Sequence, residues 1–177
     1  MRVLLASAAA AVLLGAALPA SAVTTIFFTG LTNAGEPVPT STANGAALVS
    51  FDDAANTVTV QLSFQGLANN APFGHIHCCT ATPFTGSAGV ALNFTPMPAV
   101  ATGTYNNVFA LTPAAFSSLL AGASAGRAYV NIHTPGLYAG GEIRGFLAPI
   151  PEPGTYALML AGLGAVGWAA RRRRAAA

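Results

Sequence analysis

From Thr57 to Phe64 the chain alternates strictly: Val58, Val60, Leu62 and Phe64 are apolar, and Thr57, Thr59, Gln61 and Ser63 are polar. Successive side chains on a strand point to opposite faces, so this period of two predicts a half-buried β-strand. Ala47, Val49 and Phe51 alternate in the same way. Between the two runs lies Asp52-Asp53-Ala54-Ala55-Asn56, rich in turn formers, so the pair is predicted to form a hairpin. Further strands are predicted over Thr25 to Thr29, Gly74 to Cys78, Gly89 to Phe94, Tyr105 to Ala110, Ala128 to His133 and Glu142 to Leu147. One helix interrupts them. Thr112 suits an N-cap, Pro113 the first helical position, Ala114 to Ala121 the body and Gly122 the end. Thr32 to Asn44 and Thr95 to Thr104 read as loops. Many short strands separated by Gly, Pro and Asn clusters predict a mainly β fold, an antiparallel β-sandwich or flattened barrel with one short helix.

Both ends break this pattern. Arg2, an apolar stretch from Val3 to Leu18, and the small residues Ala20 and Ala22 flanking Ser21 form a secretory signal peptide, with cleavage expected before Val23. Export through the Sec machinery and processing by signal peptidase follow. At the other end stand Pro151-Glu152-Pro153, an uncharged stretch from Gly154 to Ala170, and Arg171, Arg172, Arg173 and Arg174. As a helix that stretch would be roughly 25 Å long, somewhat short of a hydrocarbon core of about 30 Å, so it is expected to span a thin membrane. Four adjacent arginines cross a bilayer at high cost. They should therefore stay on the cytoplasmic side and leave the body of the protein outside. Three units result: a signal peptide over 1–22, a β domain over 23–150 and a sorting segment over 151–177.

Charge changes the picture once the ends are set aside. The whole chain carries a formal +2, but between Val23 and Ile150 the only cations are Arg127 and Arg144, set against Glu36, Asp52, Asp53 and Glu142. The body is thus slightly acidic and has no lysine. Nucleic acid is excluded as a partner, because nothing here would neutralise phosphates.

Candidate chemistry lies in Gly74-His75-Ile76-His77-Cys78-Cys79, in Arg127 to Thr134, and in Gly140 to Gly145. Strand alternation puts His75 and His77 on one face, Tyr129, Asn131 and His133 on one face, and Glu142 with Arg144 opposite Ile143. Two readings stay open. In the first, His75 and His77 at i and i+2, joined by His133 from a neighbouring strand, offer three imidazole nitrogens to copper or zinc. In the second, the histidines with Asn131, Glu142 and Arg144 form a hydrogen-bonded polar cluster that sets strand register. Cys78 and Cys79 are the only cysteines. Outside the cytoplasm they can form a vicinal disulfide, remain thiols, bridge to another chain or ligate a metal beside His77. No nucleophile, base and orienting group stand out together, so no enzymatic activity is expected.

Two families are resembled. Pro151-Glu152-Pro153, the apolar run and the arginine cluster, in that order, resemble the PEP-CTERM sorting signal of Gram-negative bacteria. That resemblance implies recognition by a membrane-embedded exosortase, removal of the tail near the motif, and export to the envelope or an exopolysaccharide matrix. Leu62 to Leu67, Gly74-His75-Ile76-His77, Gly103-Thr104-Tyr105, Tyr129 to Thr134 and Gly141-Glu142-Ile143-Arg144-Gly145 resemble the CHRD domain. That resemblance implies a β-rich extracellular module. The chain departs from the CHRD pattern where two cysteines follow the His-x-His. His-x-His on a β-strand also looks like the copper ligand pair of copper-zinc superoxide dismutase, but three histidines cannot supply that enzyme's remaining ligands. The expectation is an exported, surface- or matrix-associated domain that binds or builds structure, with exopolysaccharide or surface proteins as partners. The alternative is an envelope copper- or zinc-binding protein using His75, His77 and His133.

Overall fold

The computed structural model describes residues 23–71, 73–150 and 153–175. The expected signal peptide, with Ala20 and Ala22, and the sorting residues Pro151 and Glu152 lie outside them. The element order is β1 (Thr24–Thr32), β2 (Asn44–Asp52), β3 (Thr57–Gln65), β4 (Phe73–Cys78), β5 (Val90–Asn93), β6 (Gly103–Ala110), α1 (Pro113–Ser124), β7 (Ala128–His133), β8 (Ile143–Phe146), β9 (Ala148–Pro149) and α2 (Pro153–Ala175).

The nine strands form one antiparallel sheet in the order β5-β4-β7-β8-β1-β2-β3-β6, with β9 also paired to β1. This curled half-barrel is the single-sheet form of the expected fold. The predicted hairpin is its most regular part. In β2 and β3 the apolar pairs Phe51↔Val58, Val49↔Val60 and Ala47↔Leu62 stand across from one another on the buried face, each such pair adding roughly 0.2–1 kcal/mol. Asp52 Oδ1 accepts from the backbone N–H groups of Ala54 and Ala55 and closes the turn.

The sheet bends around Phe27, Phe51, Val58, Val60, Ile76, Val130, Ile132 and Ile143, all buried. Phe51 sits edge-on between Phe27 and Phe116, with centroids 5.4 and 5.7 Å away, which ties α1 to the core. At the open seam, side chains take over from backbone pairing. Phe94, just past β5, stacks on Tyr105 of β6 with centroids 5.6 Å apart. A Cβ on Gly74 would lie 2.7 Å from the Phe94 ring, so that glycine makes room for the seam.

Helix α1 begins as expected: Thr112 Oγ1 accepts from the Ala115 N–H and Pro113 opens the first turn. Its end differs. Gly122 does not stop the helix but lies buried inside it, because a side chain there would collide with the sulfurs of Cys78 and Cys79. Gly126, at φ +67°, makes the stop instead. Its N–H donates to Ala123 O and that of Arg127 to Gly122 O, the paired closure of a left-handed C-terminal cap.

Helix α2 carries the apolar run, and the described side chains from Leu158 to Trp168 are all exposed. No helix among the described residues is long and apolar enough to cross a membrane. The expected span is therefore not supplied by this helix. Its C-terminal turns are arginines, and the glycines, Thr155, Tyr156 and Trp168 dilute the hydropathy of the rest.

Candidate metal centre

Strands β4, β7 and β8 lie side by side and carry two rows of outward side chains in register. One row is His75, Asn131 and Arg144; the next is His77, Tyr129 and Phe146, and His133 stands opposite Phe73. The alternation read from the sequence thus survives in three dimensions. The inner positions Ile76, Val130, Ile132 and Ile143 face the core, and the polar residues share the other side.

That other side is largely but not wholly covered: His77, Tyr129 and Asn131 are buried, and His75, His133, Arg144 and Phe146 are half-buried. Three connections, residues 33–43, 79–89 and 134–142, fold over it, and the last two supply backbone partners. His77 Nδ1 donates to Ala88 O at 2.9 Å and His133 Nδ1 to Ala139 O at 3.0 Å. With Nδ1 carrying the proton, Nε2 of each neutral ring keeps its lone pair. Those two Nε2 atoms and His75 Nδ1 are buried and have no hydrogen-bond partner. The nitrogens that the three histidines can offer lie within 4.8 Å of one another. The ring centroids are 4.9 to 5.8 Å apart.

Electrostatics keeps the rings neutral. Burial, followed by the neighbouring His133 and His77, lowers the His75 pKa to about 4. Burial also lowers His77 and His133, opposed in each by the backbone hydrogen bond. Neutral imidazole is the form that binds a metal ion, and an Nδ1–H held by a carbonyl fixes the orientation of Nε2 toward it. The donor set of three imidazoles suits copper or zinc. Behind it, the Tyr129 ring lies parallel to His77 at 4.8 Å, and the Arg144 guanidinium stands 5.2 Å from the Tyr129 centroid.

Not every expected member joins the cluster. Glu142 precedes β8, after a turn at Gly141 with φ +133° that redirects the backbone. Its side chain is fully buried. Oε1 accepts from Ser41 Oγ at 2.7 Å and Ala68 N at 2.8 Å, and Oε2 from Thr134 Oγ1. Glu142 therefore pins three connections together and does not face Arg144. The acid beside Arg144 is Glu36, with Oε1 3.7 Å from Arg144 Nε. Burial outweighs that cation and raises the Glu36 pKa to about 7. Glu36 went unnoticed in the sequence because it lies in a loop with no periodicity to assign it a face. Asn131 does sit in the row between His75 and Arg144, with its Oδ1 buried and unpartnered.

Cys78 and Cys79 are joined by a disulfide. It packs against Gly122 of α1 on the core side of β4, while His77 faces the loops. With both sulfurs bonded to each other, neither is a thiolate ligand for the histidine centre.

A curled β module that carries an imidazole cluster is followed in the chain by an arginine-ended helix. A family model for the CHRD domain matches residues 27–147, and the chain belongs to that family. The PEP-CTERM protein-sorting motif matches residues 149–174. It marks the protein for exosortase processing and for export to the envelope or surface of a Gram-negative bacterium. No curated protein matches the chain.

Proposed function

We propose that this exported CHRD domain is a metal-binding module, not an enzyme, and that it holds copper or zinc on His75 Nδ1, His77 Nε2 and His133 Nε2. One observation carries the reading. Each of the three histidines leaves one buried ring nitrogen without a hydrogen-bond partner, the three residues can bring ligand nitrogens within 4.8 Å of one another, and a buried acceptor left unpaired costs about 1–3 kcal/mol unless something binds it. The purely structural alternative predicts the opposite, since a polar cluster that sets register would use its acceptors internally. Among divalent ions, Cu²⁺ should bind more tightly than Zn²⁺. The fourth position of a tetrahedral centre falls to water or to a ligand from outside.

The test is elemental analysis of natively purified protein beside a His75→Ala/His77→Ala double variant. One equivalent of copper or zinc in the first and none in the second is expected. Absence of stoichiometric metal in the wild type, even after titration with Cu²⁺ and Zn²⁺, would remove the metal reading.

Delivery completes the proposal. Sec export and signal peptidase free the N-terminus, and exosortase, recognising the sorting motif, removes the C-terminal tail. The mature domain then associates with the surface or its exopolysaccharide matrix. Enzymes that degrade exopolysaccharide should release it from washed cells; retention in the inner-membrane fraction would count against this route.

A further inference from the structure

Phe84 is the least expected side chain in the domain. It is 58 % exposed, yet its backbone sits at φ +57°, a left-handed conformation that bulky residues avoid. The conformation is held in place. Phe84 N–H donates to Gly126 O at 2.7 Å, and the ring lies so close over Gly126 that a Cβ there would meet it 2.5 Å away. Strain of this kind persists only where the surroundings impose it, and it concentrates at binding sites. An aromatic face displayed to solvent and held rigidly is a stacking platform.

The platform borders a cleft of about 380 Å³ whose lining includes Phe84, Phe146, Thr32, Thr85 and Arg144. The two phenyl rings meet edge to face, with centroids 6.3 Å apart. Arg144 supplies the one charge among the lining residues. Its Nη1 donates to Gly86 O at 3.2 Å and its Nε faces Glu36. Nη2 makes no hydrogen bond among the described residues, and Gly35 keeps the space beside it clear: a Cβ there would stand 3.0 Å from Nη2. Glu36 is an incomplete counter-charge, since burial holds its carboxyl toward the protonated form.

We propose that this cleft binds a carboxylated sugar, a hexuronate unit of an acidic polysaccharide. Each part of such a ligand has a partner. The C–H face of a pyranose ring carries partial positive charge and stacks on the negative face of Phe84. The carboxylate pairs with the free edge of the Arg144 guanidinium. Hydroxyls meet Thr32 and Thr85, and the cleft volume lies at the lower end of the range for small-ligand sites. None of the three histidines lines the cleft, and binding there requires no metal.

Calorimetric titration of the full chain in detergent micelles tests this with four probes: trigalacturonate, its methyl ester, maltotriose and inorganic phosphate. Trigalacturonate should bind, and at least about tenfold more tightly than the ester or maltotriose. Phe84→Ala and Arg144→Gln should each weaken it by about tenfold or more, and Phe84→Tyr should retain it. Circular dichroism and thermal unfolding establish that each variant is folded. Failure of trigalacturonate to bind would overturn the proposal, as would equal binding of the ester or of phosphate. So would undiminished affinity in folded Phe84→Ala.

Discussion

The two faces of β4, β7 and β8 are built from the same strands, residue by residue in alternation, and both are largely covered. They are nevertheless opposite in kind. The inner face, with Ile76, Val130, Ile132 and Ile143, is complete in itself: its side chains are apolar and need only contact. The outer face and the loop over it hold Glu36 Oε1, His75 Nδ1, His77 Nε2, Asn131 Oδ1 and His133 Nε2, all buried and all without a hydrogen-bond partner. Burial alone therefore does not distinguish a core from a site. What distinguishes them is whether the buried groups are satisfied by the protein or left for something else.

The largest expected effect follows from that contrast. Copper at about a thousand times its dissociation constant should stabilise the wild-type protein by roughly 4 kcal/mol, measured as a shift in denaturant midpoint. The His75→Ala/His77→Ala variant should show no shift. The inner face should respond differently: Ile132→Ala should lose about 3 kcal/mol through transfer and cavity effects, while the folded fraction still takes up copper with wild-type stoichiometry. If Ile132→Ala abolished copper uptake in the folded state, the two faces would not be separable.

Glu36 sharpens the comparison through pH. Its carboxyl holds a proton up to about 7 in the folded protein, against an ordinary value of 4.5. The folded state therefore binds more protons across that window. Stability from this group is fully present below pH 4.5 and is lost as pH rises through 7, by roughly 3 kcal/mol at most. Glu36→Gln should flatten that decline in denaturant titrations of metal-free protein at pH 5 and pH 8. An unchanged decline would mean that another group carries it. The smallest effect belongs to a residue on neither face: Thr112→Ala removes the cap of α1 and should cost about 1 kcal/mol, with copper uptake unaltered.

Legibility varied with the kind of signal each segment carries. The hairpin of β2 and β3 was readable because strict alternation and a turn-rich spacer are local, and β7 begins and ends where its pattern says. The shared face of His75 and His77 was readable for the same reason. Gly122 misled because a glycine near the end of a helical pattern looks like a stop, and only its neighbours in space, the sulfurs of Cys78 and Cys79, show that it is a contact. Glu142 misled because extending alternation back past the start of β8 ignores the turn at Gly141. Glu36 and Phe84 lie in loops, where no period assigns a direction.

By itself, the order of residues determined the strands, the α1 cap, the apolar run ending in arginines and the common side of the histidines on each strand. These depend on backbone periodicity and on residues near in sequence. Only the tertiary structure decided that three loops close over that side, that Glu36 and not Glu142 meets Arg144, and that three histidines gather with one unpartnered ring nitrogen each. Those outcomes depend on which distant segments share space, and chain connectivity does not encode that one neighbour at a time.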